Sequence, residues 1–206
     1  MAERRLGQSA PKTLTQIRDE DWYARDLSDQ NHAQVEFIDL DLTETTGHGA
    51  SFTDCTFRGV RFNVTTQTGA AFTNCTFKRC VFFEAAFTEC KFVGSMFDQC
   101  THDLMKVEGG DWSFTGLPGA DLRSAAFQDV RMRETDLTGA RFEGAKLRGC
   151  DLSGAWLHNT VLTGCDLRGS DLSALDPSTV ELRGALVTMD QAVVIATALG
   201  LDVRYD

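Results

Sequence analysis

One period governs this chain. From Trp22 to Val187 every fifth residue falls in a single register, and 29 of those 34 positions are large and apolar. The exceptions are His32, Gly47, Gln67, His102 and Pro177. Twelve of the fourteen Phe lie in this register. A period of five matches neither an amphipathic helix at 3.6 residues nor a strand at 2. Two residues before each large one the side chain is usually small, and all seven Cys occupy that second register. Shuffling would put seven Cys in one of five registers in roughly one trial of 15,000, so the pattern is a true internal repeat.

Residues two apart share one side of an extended segment. Each five-residue unit therefore turns a small and a large residue inward and exposes the rest. Gly stands two residues after the large one in 13 of the 34 units, where a sharp corner favours it. One side and one corner per unit make a square coil of about twenty residues, and coils stacked at ~4.8 Å bury a continuous column of Phe and Leu. The fold expected is all-β, a stacked β-helix over residues 22–187. Residues 1–21 read as a polar tail or partial cap, and 188–206 as a capping helix and tail.

This geometry disposes of several chemical motifs. An inward Cys in a stacked column is a small hydrophobe, and Cys spacings of 5, 10 and 15 match no zinc knuckle. No two of His32, His48, His102 and His158 are three or four residues apart, and no GxSxG or GKS/GKT string occurs. The expectation is a non-enzyme with no metal and no cofactor; an enzyme built near His48 or His102 is a remote third class. Gly47 and Gln67, twenty apart, read as a polar bulged patch or a packing irregularity. Residues 101–119, with Pro118 and the pair Gly109–Gly110, form a second disturbance that leaves the register intact. The net charge of −10 argues against gripping nucleic acid or an anionic membrane. With seven free thiols and no apolar secretory core in MAERRLGQSAPKTLTQ, a cytoplasmic protein is expected.

After Val187 the pattern changes to TMDQAVVIATALGLDVRYD. Thr188 or Asp190 can cap a helix, Gln191 completes a Thr-x-x-Gln box, and Gly200 can end it. Apolar residues surround most of that helix, more than covering one coil requires. A two-fold homodimer through Val193, Val194, Ile195, Ala198 and Leu199 is therefore expected.

The units from Ala120, among them ADLRS, TDLTG, CDLSG and CDLRG, resemble those of pentapeptide-repeat proteins. That resemblance covers residues 22–187 and implies a right-handed quadrilateral β-helix of about eight coils. GSMFDQC at Gly94–Cys100, VRMRETDL at Val130–Leu137 and the ending VTMDQAVVIATALGL are similar to the mycobacterial fluoroquinolone-resistance members, and more loosely to the Qnr and McbG-like group. The resemblance implies a C-terminal dimerisation helix. It further implies dimeric rods shaped and charged like B-form DNA, which bind DNA gyrase and inhibit it or protect it from quinolone-like poisons. The longer charged N-terminus and the lack of a large projecting loop set this sequence apart.

Charge placement bears on that implication. Residues 1–50 carry ten acids and five bases, and residues 151–206 eight acids and three bases. A C-terminal dimer would join two acidic segments at the centre of an ~80 Å rod. Asp151 and Asp171, twenty apart, should stack on one face, with Asp166, Asp176 and Glu181 on neighbouring faces. These five are the candidate partner-binding carboxylates for the basic saddle of a type II topoisomerase. The alternative is a structural or scaffold β-helix that binds another protein partner.

Overall fold

A computed structural model describes residues 9–204 of the chain. With one buried side in every five residues, the chain bends after each segment and returns to the same side twenty residues later. All strand pairing is parallel and in register at that spacing. The first face pairs Thr15–Arg18, Val35–Ile38, Thr56–Arg58, Thr76–Lys78 and Met96–Asp98, then continues through Gly116, Asp136 and Trp156. That makes eight rungs. The second face starts at Asp21 and is held by single bridges, the third runs from Asp26 to Leu186, and the fourth from Asn31–Ala33 to Asp171. The ladder thus reaches back to Thr15, inside the stretch read as tail or partial cap; residues 1–8 of that stretch lie outside the described residues.

The core is the predicted register. Phe37, Phe57, Phe77 and Phe97 form a column with ring centroids 4.8, 4.9 and 4.7 Å apart and planes within 12°. Phe52, Phe72 and Phe92 repeat this on the fourth face, and neighbouring columns meet edge-on. The rung spacing imposes the parallel stacks; each aromatic pair adds about 0.5–1.5 kcal/mol beyond its area. The small register does more than fill space. Ser95, Thr115, Thr160 and Ser170 each donate a hydroxyl to a core-residue carbonyl twenty-three positions earlier, at 2.7–3.0 Å. Cys75 and Cys90 do the same through Sγ, each at 3.3 Å. None of the seven Cys is in a disulfide and six are buried, and burial pushes the Cys165 thiol up to about 12 and those of Cys90 and Cys150 to about 11.

The corners are sharper than the Gly count suggests. Thirteen Gly two residues past the large apolar one have positive φ, but eighteen non-Gly residues at the same position do so too. Seven of these are Asp or Asn, which tolerate the left-handed region; Val64, Leu104 and Phe114 do not belong there by preference. Gly110 has φ 82°, and a Cβ on it would run into the Cys90 backbone, so only Gly fits.

Two expected irregularities resolve differently. Thr46–His48 pairs Thr66–Thr68 in register with Gly47 opposite Gln67, so there is no bulge, and of the polar residues here Gln67 leaves the surface. Gln67 instead turns inward into the space that Gly47 leaves, donating to Thr65 Oγ1 at 3.2 Å, which in turn meets Thr45 Oγ1 at 2.6 Å. At residues 101–119 the register survives, with Lys106 opposite Ala126, but the second face opens locally. Leu42, Phe62, Phe82 and Leu122 each donate to the carbonyl nineteen residues on, whereas His102 and Asp121 are not joined this way, and the Leu104 N–H turns to Ser124 Oγ at 3.1 Å. His102 is buried and stacked on Phe82 at 5.7 Å, and among the described residues neither ring nitrogen meets a hydrogen-bond partner within normal geometry. Burial lowers its pKa to about 4.

Met189–Ala198 forms the C-terminal helix, with Thr188, rather than Asp190, as N-cap and both halves of the Thr188–Gln191 box in place. Gly200 follows at φ 85°. Gln191 Nε2 donates to the Leu167 and Ser170 carbonyls at 2.7 and 2.8 Å, which ties the helix to carbonyls that the end of the stack leaves open.

Candidate partner-binding surface

The residue before each large apolar one is often Asp, and the coil itself uses it. Ten such Asp accept the backbone N–H two residues on through Oδ1, closing a small side-chain turn at the corner; Asp151, Asp166, Asp171 and Asp176 are among them. Most of the candidate carboxylates are therefore placed by backbone chemistry.

Their geometry is a girdle rather than a patch. Asp151 and Asp171 are bridged neighbours on the fourth face, Asp166 lies on the third between Lys146 and Leu186, and Glu181 on the second opposite Val161. Asp176 stands where the first-face ladder stops beyond Trp156. Two of the five are neutralised locally. Asp151 pairs with Arg133, and Asp166 is held in a two-point bridge by Arg168 at 2.8 Å with Arg148 at 3.7 Å. Arg168 keeps the Asp166 carboxyl at about 2. The Asp176 carboxyl is also lowered, by the hydroxyl and N–H of Ser178. Among the described residues no ion pair takes Asp171, Asp176 or Glu181.

The helix beside this girdle leaves an apolar surface. Val194 is 43% exposed and Leu199 58%, and Leu186, Met189 and Leu201 extend the same end. Ala198 is exposed and Val193 half-buried, whereas Ile195 packs on the coil core, so the five residues read as a dimer interface do not share one side. The sequence signal that was missed is Gln191: its place in the capping box was legible, its grip on the last coil was not.

Among the described residues no three His, Cys, Asp or Glu gather as a metal site, and no helix is long and apolar enough to cross a membrane. His32 stacks on Phe52 at 5.3 Å and meets Gln30 at 3.0 Å.

Comparison with known proteins follows the coil. The profile of pentapeptide repeats matches residues 117–154 and 145–176 in eight copies, and that of the SV2A/B/C luminal domain matches residues 16–102. No curated protein matches. Among solved structures the chain is similar to full-length QnrB1, a plasmid-mediated fluoroquinolone resistance protein, at 20% identity and TM-score 0.49, over 88% of this chain and 100% of that one. It is similar to HetL, a pentapeptide repeat protein involved in heterocyst differentiation regulation from Nostoc sp. strain PCC 7120, at 17% identity and TM-score 0.34, over 85% and 87% of the two chains. A pentapeptide repeat protein of the Arabidopsis thaliana thylakoid lumen aligns at 19% identity and TM-score 0.27, over 68% and 74%.

Proposed function

We propose that this chain, a pentapeptide-repeat protein by its repeat and its coil, is a cytoplasmic, non-enzymatic binder of DNA gyrase or a related type II topoisomerase. Two copies join through the C-terminal helix and present a DNA-like rod to the enzyme's basic saddle. The observation that carries this reading is the carboxylate girdle of the last coils beside an open apolar helix. A two-fold pairing there would set Asp171, Asp176 and Glu181 of one copy close to those of the other and leave the centre of the rod acidic. B-DNA carries one charge per ~1.7 Å of axis, and ten net charges along ~40 Å of coil give one per ~4 Å, so the likeness rests on shape and this local girdle. The outcome for gyrase is inhibition, or protection from quinolone-like poisons, by competition with DNA.

A supercoiling assay tests it. Micromolar protein should lower gyrase supercoiling or change its sensitivity to a fluoroquinolone, and unchanged activity under both conditions refutes the reading. Val194→Asp should halve the native mass in gel filtration and weaken the effect; an unchanged mass removes the helix interface. The pairing of Asp151 and Asp166 with arginines favours a second reading, a scaffold for another protein partner, which a pull-down free of topoisomerase would support.

A further inference from the structure

In its first half the second face carries exposed side chains that the coil does not need. Val64, Phe83 and Leu104 occupy three consecutive rungs at one corner, the Val64 N–H donating to the Phe83 carbonyl at 2.8 Å and the Glu84 N–H to that of Asp103 at 2.9 Å. They are 42%, 42% and 45% exposed. Val64 and Leu104 hold φ of 56° and 58°, at a corner position that Gly, Asp, Asn and Glu fill in most other units. Bulky apolar groups in left-handed backbone, turned to water, are the opposite of what the coil prefers; strain kept at an exposed apolar strip marks a site. Beyond Leu104 the ladder is open, its N–H held by Ser124 Oγ rather than by the next rung's backbone.

Charge selects the occupant. Glu44, Glu84 and Asp103 alternate with the three apolar residues along the same corner. The corner pairs 23–24, 43–44, 63–64, 83–84 and 103–104 contain no Lys or Arg. Within the units 20–24, 40–44, 60–64, 80–84 and 100–104 the one Lys or Arg is Arg61, held by Asp41 at 2.8 Å, while Arg25 beyond the first of them lies over the Trp22 ring. From Val64 to Leu104 the strip spans two rungs, ~10 Å, close to two turns of an α-helix. We propose that it is a docking surface for a cationic amphipathic helix of a protein partner. Aliphatic side chains of that helix lie over Val64, Phe83 and Leu104, and its Lys or Arg residues meet Glu44, Glu84 and Asp103. The surface is separate from the C-terminal girdle and does not depend on the gyrase reading.

Fluorescence anisotropy on the full chain tests this with a labelled leucine–lysine amphipathic peptide of about four helical turns. The parent chain should bind it and should not bind the leucine–glutamate counterpart. Phe83→Ser or Leu104→Ser should weaken binding about tenfold, as loss of a central apolar anchor does. Glu84→Gln with Asp103→Asn should weaken it and flatten its salt dependence. Val194→Ser should leave it unchanged, and melting curves matching the parent establish that each variant is folded. No binding by the parent chain, an unaltered Kd in Phe83→Ser, or loss of binding in Val194→Ser overturns the proposal. A lower native mass of Phe83→Ser in sedimentation also overturns it, by assigning the strip to a second copy of this chain.

Discussion

The two halves of the coil share one geometry and reach it with different residues. Up to Phe114, fifteen of the twenty corners are non-Gly residues in left-handed backbone, and the columns inside are mostly Phe. From Gly119 onward only Asp129, Glu134 and Asn159 are so placed, Gly takes eight of fourteen corners, and the columns are mostly Leu. Left-handed conformation costs a non-Gly residue about 1–2 kcal/mol. In the first half stacked rings offset this cost, whereas the second half avoids it. This difference also explains why the pentapeptide-repeat profile matches residues 117–154 and 145–176: those residues carry the D-L-x-G units, while the earlier coils keep the register without them.

The largest test concerns the aromatic column. Phe77 is fully buried between Phe57 and Phe97, and Phe77→Ala should cost about 4 kcal/mol, against about 3 for Leu137→Ala. Chemical denaturation of the two variants measures this; equal losses would mean that the Phe column is worth no more than the Leu column. The second test sits at the junction. His102 has a folded pKa of about 4 against about 6.5 unfolded, so the unfolded chain binds the extra proton between these values. The stability owed to neutral His102 is present above pH ~6.5 and lost as pH falls towards ~4, on the order of 3 kcal/mol. His102→Phe should abolish that limb of the pH–stability curve and raise stability at pH 5; a curve parallel to the parent's would refute it. The smallest effects are at corners. Val64→Gly should stabilise by about 0.5–1 kcal/mol and Gly144→Ala, which has open space around it but φ 72°, should destabilise by about 1. Matching melting temperatures in both would erase the contrast between the halves.

Much of this was legible in the residues. The adjacency of Asp151 and Asp171 followed from a twenty-residue turn, and the Thr188–Gln191 box from its spacing. The inward Cys were recognised as core, but their Sγ donation to carbonyls of the preceding coil was not. Nor was the pairing of Asp151 with Arg133, eighteen residues back, because long side chains reach diagonally between rungs. Gln67 shows the same limit: a polar residue in the core register suggests a bulge until its neighbour is known to be Gly47, whose missing side chain makes room for it.

By itself the sequence determined the coil, its inward registers and its helical cap. A strict five-residue apolar pattern leaves one side of every segment to bury, and in a four-sided stack the partner always lies twenty residues away. Only the tertiary structure decided which carboxylates stay free, where the ladder opens, and that Val64, Phe83 and Leu104 stand together in water. Those outcomes depend on what one rung presents to the next, through side-chain reach, corner φ and unpaired hydrogen-bonding groups, and a repeating pattern holds no record of them.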